Sequence, residues 1–168
     1  MPFTLSTMSI NSIEDVAANS KAPFMFQLYV MRDRGYVKNL ISRARAAKCS
    51  ALVLTADLQV IGQRHKDIKN GLSLPLTPSL ISLLHLASRP QWCLSQLSAK
   101  RWHFGNIIGH HPMMMMAKSM MNLSEFTATQ FDPTLSWKDV AWIKKEWGGK
   151  LVIKGYDNTC LLVQKYKY

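Results

Sequence analysis

The stretch that decides the fold is residues 24–57, FMFQLYVMRDRGYVKNLISRARAAKCSALVLTAD. Both ends of this stretch, residues 24–30 and 51–56, are compact apolar runs, as in parallel strands that are buried on both faces. Between the two runs, apolar residues recur at spacings of three and four: Val37, Leu40, Ile41 and Ala44. This spacing predicts a helix over about residues 34–48 with one apolar face. A strand, a helix and a second strand in succession are typical of a parallel α/β protein.

Short strands and capped helices continue on both sides of this stretch. Residues 3–9 predict a short strand and the loop that follows it, and residues 150–154 predict a third buried strand. Two segments have the form of a capping box, with Asp three residues after Ser: Ser12–Asp15 and Ser136–Asp139. The first box predicts a helix to about Ala18. The second predicts a helix to about Trp147, where two glycines end it.

The region between these elements has a weaker pattern. Residues 58–76 are polar and rich in turn formers, which predicts a loop, and residues 78–87 predict a helix that an Arg-Pro pair stops. Residues 91–132 predict a long excursion with some helix, because Gly, Pro, His and Met are scattered through it. Within it, the run Met113–Met116 indicates adaptable packing or a loop.

The composition limits the classes of protein to which the chain can belong. It has 168 residues, of which 48% are hydrophobic and 18% charged, which suffices for one packed domain. The formal charge of +11 is compatible with nucleic acid or an anionic membrane, but the basic residues are spread along the chain, and we expect no nucleic-acid partner. The cysteines Cys49, Cys93 and Cys160 form no CxxC pair, which argues against structural zinc and indicates reduced thiols. No run reaches the ~18 apolar residues of a membrane span.

Polar side chains stand where the predicted strands end: Gln27 and Tyr29, Thr55 and Asp57, and Lys154. In parallel sheets and barrels, ligands bind at the carboxyl ends of the strands, so successive strands can direct such groups to one ligand. Gln and Thr suit the hydrogen-bonding edge of a planar ring, and a buried Lys suits a developing negative charge. The alternative is that each is a hydrogen-bonded polar group at the rim of the core.

Three histidines are a weaker candidate site, for a metal: His103, His110 and His111. Adjacent histidines point to different sides of most elements, and no acidic ligand lies nearby at helical spacing. A loop surface is therefore the better interpretation, and we expect no metal. The sequence contains neither GxGxxG nor GxxxxGK followed by Ser or Thr, the two nucleotide-binding fingerprints.

Several longer motifs stand in order along the chain: Phe26–Tyr29 with Arg32–Gly35, Leu54–Asp57 with Gly62–Arg64, and Phe131–Pro133 with Ser136–Asp139 and Val152–Gly155. From about residue 3 to residue 155, their order and spacing resemble the FMN-dependent α-hydroxy acid dehydrogenase family. The segment Phe104–Ile107 is similar to the bacterial respiratory L-lactate dehydrogenases in particular. The resemblance implies an α/β fold, a partial (β/α)8 TIM barrel with roughly strands 2 to 5 and a long inserted loop.

The resemblance also implies roles for individual residues. Four positions match groups that hold FMN: Ser6, Gln27, Thr55 and Lys154. Lys154 matches the lysine near the flavin N1 and O2, whose charge stabilises the reduced flavin, and Asp57 matches the carboxylate that partners the catalytic histidine. Both are therefore expected to be catalytic. Tyr29 and Arg64 match substrate-binding groups, and Met8 stands where some relatives carry a bulky Trp near the substrate.

The reaction implied is the oxidation of an L-2-hydroxy acid, L-lactate to pyruvate, with two electrons passed to FMN and then to a quinone or another respiratory acceptor. The excursion over residues 71–130 is where such members are thought to meet the membrane. The expected location is therefore peripheral, on the cytoplasmic side of the inner membrane, or in the cytoplasm. The alternative for the excursion is a solvent-exposed loop. A homo-oligomer is compatible with the intact parent protein.

The chain also departs from the family. The Ser-Asn-His-Gly-Gly-Arg motif that carries the catalytic base is absent from the sequence, and residues 156–168 do not match. We therefore divide the chain into a partial dehydrogenase barrel, residues 1–155, and a non-matching tail, residues 156–168. An open barrel exposes sheet edges, so we expect the isolated chain to be poorly soluble and inactive. Three hypotheses compete: an inactive fragment of a flavoenzyme, a half-barrel that pairs with a second chain, and a non-catalytic basic binding protein.

Overall fold

The computed structural model describes residues 2–57, 65–69, 80–99, 103–107, 130–132 and 134–155. These residues form four strands: β1 (Thr4–Ser6), β2 (Met25–Tyr29), β3 (Ala51–Thr55) and β4 (Leu151–Lys154). They also form six helices: α1 (Ile13–Asn19), α2 (Arg34–Ala46), α3 (His65–Lys69), α4 (Leu80–Ala87), α5 (Pro90–Leu97) and α6 (Trp137–Trp147). The predicted alternation of strands and helices over residues 3–57 is confirmed.

All four strands are parallel and lie in the order β1-β2-β3-β4, so strands that are consecutive along the chain are neighbours in the sheet. A (β/α)8 barrel follows this order, whereas a doubly wound sheet reverses its strand order at a switch point. The chain is therefore part of a TIM barrel, as predicted.

The register of the strands divides the sheet into an apolar face and a polar face. Residues paired across parallel strands point to the same side, and successive residues point to opposite sides. The apolar face carries two rows of paired residues: Leu5, Phe26, Leu52 and Leu151, and then Leu28, Leu54 and Ile153. They pack against α1, α2 and α6 through side chains such as Ile13, Leu40 and Ile143, which are fully buried. Each such burial contributes about 1.5–3 kcal/mol, which holds the helices on the sheet.

The predicted capping boxes lie at the starts of α1 and α6. At α1, the Ser12 hydroxyl accepts from the backbone N–H of Asp15 at 3.1 Å, and the Asp15 carboxylate accepts from the Ser12 N–H at 3.0 Å. At α6, the Asp139 carboxylate accepts from the Ser136 N–H at 2.9 Å. Gly148, with φ of 72°, ends α6 in the left-handed region. These bonds satisfy N–H groups that a helix leaves unpaired at its start.

Two sequence-based predictions are wrong. Strand β4 is not buried on both faces: Leu151 and Ile153 pack partly buried against the core, whereas Val152 is 48% exposed. The reason is that β4 pairs only with β3 among the described residues. The loop predicted over residues 58–76 contains α3, a helix of five residues. The run Met113–Met116 lies outside the described residues.

Candidate active site

The polar face of the sheet carries the side chains that the sequence places at the strand ends. Two rows of paired residues cross this face: Ser6, Gln27, Val53 and Val152, and then Tyr29, Thr55 and Lys154. These side chains point away from the helices because they alternate with the apolar residues that pack on the helices. The four strands therefore direct polar groups to one edge, at their carboxyl ends. We call it the polar edge: Ser6, Gln27, Tyr29, Thr55, Asp57 and Lys154.

A continuous chain of hydrogen bonds joins three of these side chains across β1, β2 and β3. The Ser6 hydroxyl donates to the side-chain oxygen of Gln27 at 2.9 Å, and the Gln27 amide nitrogen donates to the Thr55 hydroxyl at 2.8 Å. Gln27 and Thr55 are only 7% and 4% exposed. These bonds fix the orientation of the Gln27 amide. Within the described part of the chain the Thr55 hydroxyl accepts this bond and donates to no acceptor, so its proton is available for a further hydrogen bond.

Asp57 and Lys154 form an ion pair at the same edge, between the ends of β3 and β4. The Lys154 ammonium lies 2.8 Å from the Asp57 carboxylate. The hydrogen bond to Asp57 and the negative charge of that carboxylate raise the pKa of Lys154, so the ammonium stays charged at neutral pH. The prediction of a buried lysine is wrong, because the Lys154 side chain on the outer strand is 58% exposed.

Tyr29, at the end of β2, adds a phenol to the polar edge. Its ring packs edge-on against Phe131, with 5.4 Å between the ring centroids. Burial raises the pKa of Tyr29 and the charge of Asp57 raises it further, whereas Lys154 and the Gln27 side chain lower it. The net effect is a raised pKa, so the phenol stays protonated at neutral pH and can donate a hydrogen bond to an anion.

The structure describes only some of the remaining sequence-based candidates. Arg64, predicted to bind the substrate carboxylate, lies outside the described residues, as do His110 and His111. His103 is exposed, and the described residues contain no group of three or more His, Cys, Asp or Glu side chains that could hold a metal ion. Met8 follows β1 and packs, partly buried, against the core.

Three residues that shape the polar edge have no role in the sequence-based predictions: Thr7, Asn106 and Gly155. The Thr7 hydroxyl donates to the backbone oxygen of Gln27 at 2.6 Å. Asn106 is fully buried beside the loop after β1, and Gly155 lies directly against Asp57. The sequence offers two weak signals for these residues. Gly155 directly follows a strand, and Asn106 follows a glycine in a region with little pattern. Neither signal identifies the partner of the residue.

Four parallel strands in sequential order, with polar side chains gathered at their carboxyl ends, are typical of an α/β-barrel protein, a class whose active sites lie at that end of the barrel. The family model described as FMN-dependent dehydrogenase matches residues 1–158. The chain belongs to the FMN-dependent α-hydroxy acid dehydrogenase family, as its motifs predict, and FMN is the cofactor of that family.

Solved structures cover most of this chain, but the chain spans well under half of each of them. A monotopic membrane protein, an (S)-mandelate dehydrogenase, is 28% identical with a TM-score of 0.82, and the match covers 93% of this chain and 40% of that one. A mandelate oxidase is 26% identical with a TM-score of 0.62, covering 93% and 34%. A lactate oxidase of Pediococcus acidilactici, at 24% identity and a TM-score of 0.57, covers 91% and 32% and supports the fold alone.

Helices α4 and α5 of the excursion expose several large apolar side chains: Leu84, Leu86, Trp92, Leu94 and Leu97. Pro90 stands in the first turn of α5, where its missing N–H leaves no hydrogen bond unmade, so the proline that ends the preceding helical pattern also begins a new helix. None of the described helices is long and apolar enough to cross a membrane.

Proposed function

We propose that the polar edge holds FMN and forms part of the site at which the whole protein oxidises an L-2-hydroxy acid, L-lactate to pyruvate. The observation that carries the proposal is the hydrogen-bonded chain of Ser6, Gln27 and Thr55 beside the Lys154 ammonium. Because the chain spans about 40% of the length of the matched (S)-mandelate dehydrogenase, the activity belongs to the whole protein rather than to these residues alone.

The residues of the polar edge fit the rim of a flavin ring. Such a rim alternates hydrogen-bond donors and acceptors, and the edge offers an oriented amide on Gln27 and a buried donor on Thr55. The Lys154 ammonium lies on the next strand, where its charge would stabilise negative charge at the ring. When bound, FMN supplies the acceptor for the two electrons of the hydroxy acid.

The other charged and phenolic groups suit the substrate and the base. The protonated phenol of Tyr29 can donate to a substrate carboxylate or hydroxyl, and Arg64 would bind that carboxylate through two parallel hydrogen bonds. Asp57 would stabilise a protonated imidazole beside it, which strengthens the imidazole as a base. In the described part of this chain, the partner of the Asp57 carboxylate is the Lys154 ammonium, with which it forms an ion pair.

L-Lactate is proposed rather than the smaller glycolate because of Met8, which stands where some relatives carry a bulky Trp. Its backbone N–H donates to the Ser6 hydroxyl at 3.2 Å, so it directly adjoins an FMN-holding residue. An unbranched apolar side chain at this position leaves room for the methyl group of lactate, which glycolate lacks. The matched mandelate dehydrogenase and mandelate oxidase act, by their names, on an aromatic hydroxy acid, so mandelate is the competing substrate. Steady-state rates of the whole protein with each substrate decide between them.

We further propose that the excursion over residues 71–130 makes a peripheral membrane contact, with a quinone or another respiratory compound as the electron acceptor. The support is the set of exposed apolar side chains on α4 and α5, which water solvates poorly and a lipid interface solvates well. One matched structure is of a monotopic membrane protein. The corresponding location is the cytoplasmic side of the inner membrane.

FMN binding to the 168-residue chain tests the proposed site, through the quenching of flavin fluorescence on titration. Lys154→Met removes the charge at the polar edge and should weaken FMN binding at least about tenfold, since charge-assisted hydrogen bonds are the strongest at such sites. Lys150→Met is the matched control: it makes the same charge change just before the same strand, at an exposed position away from the edge. Equal effects of the two changes, or no FMN binding by the unmodified chain, would contradict the proposal.

A half-barrel that pairs with a second chain is the alternative function. It is favoured by the outer edge of β4, which pairs with no strand among the described residues, and by the exposed Val152 on the same strand. An unpaired parallel edge is a template for another strand. Co-purification of the tagged chain with one stoichiometric polypeptide would support this function, and a chain that stays alone while binding FMN would refute it.

A further inference from the structure

Asn106 is a fully buried polar residue far from the strands in sequence, yet it contacts the loop after β1. Its side-chain oxygen accepts from the backbone N–H of Ile13 at 2.9 Å and from the Arg43 guanidinium at 3.2 Å. The first bond satisfies an N–H at the start of α1 that the helix itself leaves unpaired. A side chain 93 positions away along the chain thus completes the start of α1.

The other end of the same amide faces the strand end that carries Ser6. The Asn106 amide nitrogen lies 3.4 Å from the backbone oxygen of Ser6 and 3.5 Å from that of Thr7. These are long hydrogen bonds, but both are directed at residues whose side chains bond to Gln27. The Asn106 amide therefore bridges the end of β1 to the start of α1, and the loop between them is held at both ends.

The backbone around Asn106 is fitted to the same loop. The Gly105 N–H donates to the Ser9 oxygen at 3.0 Å, and a Cβ on Gly105 would lie 2.7 Å from both the Ile10 oxygen and the Ser12 nitrogen. Only a glycine permits that approach. On the other side, the Tyr36 hydroxyl donates to the Asn106 backbone oxygen at 2.8 Å. The segment 103–107 is thus wedged between the loop and α2.

We propose that Asn106 is a positioning residue for the FMN-holding edge, acting through the loop that joins Ser6 to α1. Its role toward FMN rests on the function proposed above. Because residues 103–107 belong to the excursion, the same contacts tie the excursion to the polar edge, and a displacement of this segment shifts Ser6 and its bond to Gln27.

The test distinguishes the contacts of the Asn106 side-chain oxygen from those of its side-chain nitrogen. Asn106→Asp keeps the side-chain oxygen that Ile13 and Arg43 use, but places a second oxygen against the carbonyl oxygens of Ser6 and Thr7, which repels them. The control is Glu14→Gln, which alters the outer end of the same network, where Glu14 accepts two bonds from Arg43 at 2.7 Å each.

The first readout is hydrogen exchange of the 168-residue chain without FMN. In Asn106→Asp, the Met8 amide, which donates to the Ser6 hydroxyl, should exchange at least about tenfold faster, while the Leu52 amide in the sheet is unchanged. Glu14→Gln should change neither amide. Asn106→Ser removes the amide without adding a charge and decides the question if the aspartate variant does not fold. If Met8 exchange is unchanged in the Asn106 variants, Asn106 serves stability alone. The same conclusion follows if both Asn106 variants lose as much protection at the Leu52 amide as at the Met8 amide.

The second readout is the visible absorption spectrum of bound FMN. A purely structural role would lower the melting temperature and leave the flavin bands in place, whereas a positioning role shifts the bands and weakens binding in Asn106→Asp but not in Glu14→Gln. If the unmodified chain binds no FMN, the proposed function fails and the flavin role of Asn106 fails with it, while Met8 exchange still decides whether Asn106 holds the loop. Faster Met8 exchange with unaltered flavin bands would refute the flavin role alone.

Discussion

At the scale of single residues, the polar edge depends on positions where one atom more would not fit. Gly155 follows β4 with φ of +80°, and a Cβ built on it would lie 2.5 Å from the Cβ of Asp57 and 2.6 Å from its carboxylate. Glycine is therefore required twice at this position, for its backbone conformation and for the space that Asp57 occupies. The Asp57–Lys154 ion pair is geometrically possible because the residue after the lysine has no side chain.

Gly155→Ala should lower the free energy of unfolding by about 2–4 kcal/mol, the sum of the left-handed backbone penalty and the steric overlap. Gly148→Ala is the matched control, because Gly148 has φ of +72° but nothing within 4 Å of its added Cβ, so only the backbone penalty of about 1 kcal/mol applies. Urea denaturation of both variants measures the difference. Equal losses would show that Asp57 moves away without cost.

Asp132 gives a pH-dependent prediction. The hydrogen bond from the Thr134 hydroxyl lowers the pKa of Asp132 most, with help from the Thr134 N–H and Arg34 and against the effect of burial. A carboxylate with a lowered pKa stabilises the fold above its ordinary pKa of 3.8, and this stability is lost as the pH falls through the folded value.

Asp132→Asn should therefore cost about 1 kcal/mol at neutral pH, and the difference from the unmodified chain should shrink as the pH falls through the lowered pKa of Asp132. Chemical denaturation at a series of pH values measures it. Thr134→Ser, which keeps the hydroxyl donor, is the control and should retain the pH dependence. A difference that stays constant with pH would show that Asp132 does not titrate in this range.

At the scale of elements, Arg34 ties three parts of the chain together from the first residue of α2. Its guanidinium donates to the Met31 backbone oxygen, to Asp132 and, at 2.8 Å, to Asp139, whose other carboxylate oxygen closes the capping box of α6. The starts of α2 and α6 are thereby fixed to each other and to residues 130–132. A planar guanidinium can serve several acceptors in this way, and a lysine ammonium cannot match its geometry.

Arg34→Lys should consequently destabilise the fold by about 1–2 kcal/mol although it preserves the charge. Arg32→Lys is the control, because the Arg32 side chain is exposed and should tolerate the change within about 0.5 kcal/mol. Thermal or urea unfolding measures both variants. If the two variants lose equal stability, the hydrogen bonds made by Arg34 do not require the planar geometry of a guanidinium.

How far the sequence predicts each element follows from how local its causes are. Capping boxes at Ser12 and Ser136 are determined by residues three positions apart, and β2 and β3 by runs of five or so residues, so all are predictable. Helix α3 lacks an apolar period and is missed. The exposure of β4 depends on what lies beside it, which its own residues do not encode.

The same distinction applies to the site. Gln27, Thr55 and Lys154 are identifiable because polar residues at the ends of parallel strands converge by geometry alone. Their specific bonds to Ser6 and Asp57 are not, since these depend on the register between strands. Asn106 is not predictable, because its partners lie between 63 and 100 residues earlier and nothing near it indicates them.

At the scale of the whole molecule, apolar side chains are exposed in two different surroundings, on the outer strand β4 and on helix α5. The outer strand β4 exposes Val152 at 48%, and α5 exposes Leu97 at 78%. The first lies on the edge strand, with its side chain on the polar face beside an open backbone edge where strand pairing drives association. The second lies on a helix, which suits a lipid interface. The formal charge of +11 adds attraction to anionic lipid.

Each surface can be altered without the other. Val152→Lys should reduce concentration-dependent self-association, measured by sedimentation velocity, without reducing co-sedimentation with vesicles of anionic lipid. Leu97→Lys should do the opposite, weakening vesicle binding and leaving self-association unchanged, although it also adds a positive charge. If both substitutions change both measurements alike, one non-specific apolar effect accounts for them, and the two surfaces have no separate roles.

Within each strand, successive side chains alternate between the two faces of the sheet, so odd- and even-numbered residues face opposite sides. In β2, the odd-numbered Gln27 and Tyr29 face the polar edge, and the even-numbered Phe26 and Leu28 face the helices. A substitution at one position changes one group, whereas the insertion or deletion of a single residue inside a strand would exchange the two sets beyond that point. Glutamine would then lie beneath a helix, and phenylalanine at the ligand. Such strands tolerate substitutions at single positions, but not a change in length.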